Sequence, residues 1–173
     1  MQSNFDACMN FVLQEEGGYV NNEKDPGGRT NMGVTQKVWE EWVGRESNEK
    51  EMRSLTKADV VPLYQRKYWN ACRCNELPPG IDLCVFDTAV NSGPGRAIKL
   101  LQSCIGVPAD GAIGSVTVAA ISQFKGSSLI HIIDDYCSAR QAYLISLPNF
   151  VTFGKGWTKR VKELEEAAVK LIG

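Results

Sequence analysis

Apolar residues recur along this chain at helical spacing far more often than at strand spacing. Phe5, Cys8, Met9, Val12 and Leu13 fall at i, i+3, i+4, i+7 and i+8, which predicts an amphipathic first helix. Gly17-Gly18 is expected to end it with the left-handed geometry that other residues resist. From Gly18 to Thr35 the pattern dissolves into Gly, Asn, Asp and Pro, which predicts a turn-rich lobe, irregular or a short hairpin. Thr35 then caps a helix burying Val38, Trp39, Trp42 and Val43. Residues 44–54 read as a polar linker. Thr56-Lys57-Ala58-Asp59 reads as a capping box opening a helix through Val60, Leu63, Tyr64 and Tyr68, with Pro62 set to bend or delay it.

Beyond Pro78-Pro79-Gly80 the segment Ile81–Asn91 is apolar on every side, as in a buried central helix. Its polar exceptions, Asp87 and Asn91, lie four apart on one face and need partners. Helical stretches follow at 96–105, 115–124 and 128–147, and a last amphipathic helix uses Val161, Leu164, Ala168, Leu171 and Ile172. The expected fold class is mostly α, with a small turn-rich or β-hairpin lobe after the first helix. The expected division is a part spanning residues 1–95 and a helical part spanning 96–173 packed on it as one globule.

Composition removes several function classes. The 173 residues carry 19 Lys and Arg against 20 Asp and Glu, a formal net charge of −1, and the pI is 5.9. That balance argues against a nucleic-acid grip or a polybasic membrane patch. No uncharged apolar stretch approaches the roughly 18 residues of a membrane span. The first Lys is Lys24, and Asp6 sits where a secretory leader needs positive charge, so no signal peptide is expected. Six Cys without a C-x-x-C spacing, and one His, leave little room for a zinc site, a redox motif or a Ser–His or Cys–His nucleophile. His131, flanked by Ile130, Ile132 and Ile133, reads as a core histidine. The basic group Lys155, Lys159, Arg160 and Lys162 reads as a solvated helix face paired at i,i+4 with Glu163 and Glu166. Carboxylates remain as the available chemistry.

At 100° per residue, Glu16 projects within about 15° of the centre of the first helix's apolar stripe, whereas Glu15 falls about 90° away. Glu16 therefore faces the body of the protein and Glu15 faces outward. Desolvation and the negative end of the helix dipole both favour protonation there, which suits a general acid. Asp25 and Thr30 follow on a glycine-rich lobe in which Gly27 and Gly28 let backbone approach a sugar. A carboxylic acid paired with a second carboxylate is what glycoside hydrolysis needs. The alternative is that Asp25 only opens a proline turn and Glu16 caps or pairs with a neighbour.

The stretches Glu16-Gly17-Gly18-Tyr19 and Asp25-Pro26-Gly27-Gly28-Arg29-Thr30-Asn31-Met32-Gly33-Val34-Thr35 resemble the opening signature of the phage and prophage N-acetylmuramidases, glycoside hydrolase family 108. Leu63-Tyr64 with Tyr68-Trp69, Phe86-Asp87 with Val90-Asn91-Ser92-Gly93, and Gly156-Trp157 with Arg160 extend the resemblance over nearly the whole chain. It implies a lysozyme-like peptidoglycan hydrolase cleaving the β-1,4 bond from N-acetylmuramic acid to N-acetylglucosamine. Glu16 would be the catalytic acid, Asp25 would orient water or offset positive charge, and Thr30 would hold the water. Thr30 follows Asp25 one residue sooner than in the wider phage-lysozyme pattern.

Tyr19, Asn31, Tyr68, Asp87 and Asn91 are the candidate glycan contacts. Leu101-Gln102, Asp110-Gly111, Ile113-Gly114 and Thr117 resemble a peptidoglycan-binding repeat, against the plainer reading of a helix–turn–helix. No metal or organic cofactor is implied. The expected partner is the peptidoglycan glycan strand, with no nucleic acid and no stable membrane insertion. Members act in host lysis or in protein secretion, so synthesis in the bacterial cytoplasm and action on the wall in the periplasm are expected. Two other readings stay open: a non-catalytic or secretion-assisting wall-binding module of the same fold, and a lytic transglycosylase.

Overall fold

The computed structural model describes residues 4–23 and 28–173. In chain order its elements are α1 (Phe5–Glu15), β1 (Val20–Asn21), β2 (Arg29–Asn31), β3 (Val34–Thr35), α2 (Gln36–Val43), α3 (Glu49–Ser54) and α4 (Lys57–Tyr64). There follow α5 (Ile81–Ser92), α6 (Pro94–Cys104), α7 (Ser115–Ile121), α8 (Ser127–Ile145) and α9 (Phe150–Ile172). The fold is mostly α with a small antiparallel sheet early in the chain, as the periodicity predicts. Contacts group the chain into one compact unit of Met9–Lys67 and another of residues up to Cys8 with Tyr68–Gly173. The division falls before α5 because α5 packs with α6, α8 and α9.

In the Met9–Lys67 unit the sheet order is β1-β2-β3, with Val20 opposite Thr30 and Asn31 opposite Val34. Thr35 caps α2 by accepting the Val38 N–H at 3.2 Å, and Gly44 ends it in the left-handed region. The stretch expected to be linker contains α3. Its start is capped by Asn48, which accepts the Glu51 N–H at 2.9 Å, a local side-chain signal that apolar periodicity does not register. The capping box at α4 is present: the Asp59 carboxylate takes both the backbone N–H and the hydroxyl of Thr56 at 2.7 Å.

Pro62 lies inside α4. It removes one backbone donor, and the chain continues from α4 into a wider π-helical turn at Gln65–Asn70. The extra residue in that turn shifts the helix phase. Trp69, five positions after Tyr64, becomes the buried residue, and Tyr68 is left half-buried.

In the other unit α5 is the central rod. Every residue from Ile81 to Ala89 is buried. Phe5 and Phe86 each meet Trp69 edge to face with ring centroids 5.3 Å apart, and tilt against each other at 5.9 Å. Gly80 has φ +86°, and a Cβ there would lie 2.6 Å from the Ala168 carbonyl oxygen, so glycine is required for α9 to approach so closely. The connection from α6 to α7 is wired by one buried glutamine. Gln102 donates to Asp110 Oδ1 at 2.7 Å, to the Ala112 carbonyl at 2.9 Å and to Thr117 Oγ1 at 3.1 Å, and it accepts from the Gly111 N–H at 2.9 Å. His131 is exposed, correcting the core reading. The inward stripe of α8 is Leu129, Ile132, Ile133, Tyr136, Cys137, Arg140 and Leu144, and position 131 falls outside it.

Asp82, in the first turn of α5, is 3% exposed. Burial pushes its carboxyl up to about 6, against the opposing hydrogen bonds from Asn4 and from the Leu83 and Gly80 N–H groups. Between the ordinary carboxyl range and pH 6 the native state thus keeps a proton the unfolded chain has lost, and stability falls as pH rises through that window. Asp82→Asn, which carries no such charge, is expected to gain on wild type by on the order of 2 kcal/mol between pH 4 and pH 7 in urea titrations. A pH-independent difference would contradict this.

Candidate active site

The first helix delivers Glu16 to a defined place. Its backbone N–H still bonds to the Val12 carbonyl at 3.1 Å, so Glu16 is fixed by the last helical rung, one residue past Glu15. The two glycines behind it do not take the expected left-handed geometry, since neither has positive φ and neither is crowded within 4 Å. Glu16 is half-buried.

What it packs against is the hairpin turn between β2 and β3. Met32 and Gly33 link the paired residues Asn31 and Val34, and both have positive φ, +51° and +76°. That geometry matches the right-handed strand twist and is the favoured two-residue hairpin turn. Methionine in this region costs roughly 1–2 kcal/mol. The Tyr64 hydroxyl offsets the strain by donating to the Met32 carbonyl at 2.8 Å. At Gly33 an added Cβ would collide with the same Tyr64 oxygen and lie 2.8 Å from Cγ and Cδ of Glu16. The carboxyl end of Glu16 thus rests on the bare backbone of Gly33, with the Tyr64 hydroxyl at the same glycine. Gly33 and Tyr64 were not singled out as positioning groups from sequence. The turn signal at Met32-Gly33 was available for the first, and the Leu63-Tyr64 match to the family pattern for the second.

Thr30 is half-buried in the centre of β2, opposite both Val20 and Thr35. Strand alternation sends Thr30 and Asn31 to opposite faces. Asn31 is buried, and its amide donates to the Met52 carbonyl at 2.8 Å and, more weakly, to the Arg53 carbonyl at 3.4 Å. This corrects its reading as a glycan contact, because its donor group is spent tying β2 to α3. Tyr19 is half-buried with the Arg53 guanidinium 4.0 Å from its ring centroid. Asp25 lies outside the described residues.

In the other unit Tyr68 is half-buried and Asn91 is exposed near the end of α5. Asp87 needs correction. It is fully buried, accepting from Arg140 Nη1 at 2.6 Å and from Arg160 Nη2 at 2.6 Å. Burial pushes its carboxyl up, but the two guanidinium groups outweigh that and hold it below the ordinary carboxylate range. The partner Asp87 requires is therefore an arginine pair and not a sugar. Arg160 correspondingly leaves the solvated basic face, with its side chain only 11% exposed. Lys159 stays on that face, 3.3 Å from Glu163.

All six cysteines are free, and five are buried. Burial pushes the Cys8 and Cys74 thiols up, away from the thiolate that nucleophilic chemistry needs. Among the described residues no group of three or more His, Cys, Asp or Glu side chains is arranged to hold a metal ion.

Comparison with known proteins gives three findings. Residues 9–93 match the family model described as Glycosyl hydrolase 108. The chain is similar to the solved structure of Brucella abortus SagA, at 42% identity and a TM-score of 0.87, covering 98% of this chain and 95% of that one. No curated protein matches the sequence.

The turn contact is testable by comparing two glycines with nearly the same φ. Gly33→Ala meets Glu16 and Tyr64, whereas Gly44→Ala, at φ +75°, meets nothing within 4 Å. Gly33→Ala is expected to cost roughly 1–3 kcal/mol more than Gly44→Ala in urea denaturation. Equal costs would mean that Glu16 does not rest on this turn.

Proposed function

The chain belongs to the glycosyl hydrolase 108 family, and from that premise we propose that it is an N-acetylmuramidase acting on peptidoglycan. In this reading Glu16 is the general acid. It protonates the glycosidic oxygen as the β-1,4 bond from N-acetylmuramic acid to N-acetylglucosamine breaks, and positive charge develops on the muramic acid ring. Asp25 offsets that charge or orients the attacking water, and Thr30 holds the water by its hydroxyl. Water then supplies the hydroxyl of the new reducing end, and its second proton restores the acid–base pair. Proton transfer to the leaving oxygen calls for no metal or organic cofactor.

The observation that carries the proposal is the seat of Glu16. It is half-buried, fixed by a backbone hydrogen bond and set against Gly33 in a turn strained at Met32, and a general acid needs such a fixed position and partial shielding from water. Thr30 sits in the strand leading into the same turn. Strained turns cluster at functional sites because surrounding structure must maintain them for a reason. No helix among the described residues is long and apolar enough to cross a membrane. Action on the wall, in the periplasm, is part of the proposal.

Glu16→Gln keeps the shape and removes the transferable proton. It is expected to reduce clearing of purified peptidoglycan by about 10²–10⁴-fold with an unchanged circular dichroism spectrum, whereas Glu15→Gln clears at nearly the wild-type rate. A Glu16→Gln protein as active as wild type would remove the assignment. Binding to peptidoglycan by a wild-type protein that releases no reducing ends would instead favour a wall-binding module.

A further inference from the structure

The six cysteines follow no C-x-x-C spacing, yet the fold brings four of them together as two pairs. A buried cysteine packs like a small apolar residue, so burial alone assigns it no role. What matters is which thiols meet and how much chain lies between them. Cys72 and Cys74 share a hydrogen bond across Arg73, which turns with φ +48°. Cys84 on α5 and Cys137 on α8 share another, across the packing of two helices.

The second contact sits inside a regular register. A Cβ on Gly80 would lie 2.9 Å from Ile133 Cδ1, and Arg140 Nη1 donates to Asp87 Oδ2 at 2.6 Å. Cys84 falls between Gly80 and Asp87, and Cys137 falls between Ile133 and Arg140. All three pairs lie 53 positions apart, so α5 and α8 run in the same direction in one register. Steps of four and then three keep these residues on one facing stripe of each helix. Bare backbone at Gly80 lets the helices close at one end, and the buried Asp87–Arg140 ion pair fixes them at the other. A disulfide needs side chains that already face each other across closely packed backbone. The register provides that at Cys84 and Cys137.

The two pairs differ in what a bond would enclose. A Cys72–Cys74 bond would span a single residue and constrain almost nothing. A Cys84–Cys137 bond would enclose the end of α5, all of α6 and α7, and the start of α8. Stabilisation by a cross-link grows with the length of chain it closes, so the second pair is the effective clip. In the folded protein its thiols are out of reach, since neither residue is more than 1% exposed. The shared hydrogen bond, together with burial, also pushes the Cys84 thiol well up from its ordinary value. Exchange requires a thiolate and a path of attack. The unfolded chain supplies both, and the native fold withholds them.

We propose that Cys84 and Cys137 are a disulfide site that closes only during folding: a chain folding against a disulfide oxidant acquires the bond, and one that folds reduced keeps both thiols. The oxidant is a small disulfide of the glutathione class. The thiolate of one cysteine attacks it, forming a mixed disulfide and releasing the first oxidant thiol. The thiolate of the other cysteine then attacks the mixed disulfide and releases the second. The two thiol hydrogens and two electrons lost by the protein are carried by the two oxidant thiols. Disulfides persist in the periplasm and are rare in the reducing cytoplasm. The bond thus records the compartment in which the chain folded.

The test exposes the full chain to one mixture of oxidised and reduced glutathione in two ways. One sample is diluted into it from urea, and the other is added already folded and reduced. Portions are denatured, alkylated and peptide-mapped, and melting is followed on the rest. The first sample is expected to carry a Cys84–Cys137 link and to melt roughly 5–10 °C above the thiol protein. The second is expected to keep both cysteines open to alkylation once denatured. In Cys72→Ala the gain in melting temperature persists, and in Cys84→Ala it disappears. The wild-type samples give the answer even where a variant fails to fold. A refolded chain without the link, or a linked chain that melts no higher than the thiol form, overturns the proposal. So does a folded sample that links as completely as the refolding one. Neither readout involves a glycan, so the outcome is independent of the muramidase reading.

Discussion

The missing side chain at Gly33 is the constraint on which the candidate site depends. A half-buried carboxyl at a helix end has to be held by something, and here it is held by backbone. Gly33 can lie against Cγ and Cδ of Glu16 only because it has no Cβ, and its positive φ closes the two-residue turn that joins β2 to β3. The Tyr64 hydroxyl secures the turn through the Met32 carbonyl. One glycine therefore serves the turn, the acid and the tyrosine together, and the strand carrying Thr30 takes its register from the same turn.

A different device organises the other unit. Asp87 on α5 is bonded to Arg140 on α8 and Arg160 on α9, which fixes how three helices meet. Burying two guanidinium groups with one carboxylate is a costly way to gain stability, because desolvation consumes most of the attraction. What the arrangement supplies is geometry: it sets the register of α5 against α8 and α9. Gly80, bare against Ala168, sets the other end of α5 against α9.

Much of this was legible in the sequence where a signal was local. Apolar periodicity located α5 and the later helices, and Thr35 and Thr56-Asp59 marked the starts of α2 and α4. Resemblance pointed to the family that the comparisons then showed. The misses share a physical cause, namely partners far away along the chain. Asp87 and Asn31 looked like groove residues because a polar group on a buried face needs a partner, and the sequence does not say whether that partner is a sugar, an arginine 53 positions on, or a carbonyl 21 positions on. His131 was misread from its isoleucine neighbours, which an α-helix turns in different directions. The π turn after α4 changed the phase that simple 3.6-residue counting carries through Tyr68.

The central claim is that an acid at Glu16 and a water molecule together open the glycan strand at muramic acid. Digestion of purified peptidoglycan in ¹⁸O-labelled water, followed by mass spectrometry of the released fragments, tests it most directly. The expected products are fragments ending in reducing N-acetylmuramic acid that carry one labelled oxygen. Unlabelled 1,6-anhydro-muramic ends would show that the substrate's own hydroxyl, and not water, attacks, and labelled ends on N-acetylglucosamine would show that a different bond is cut.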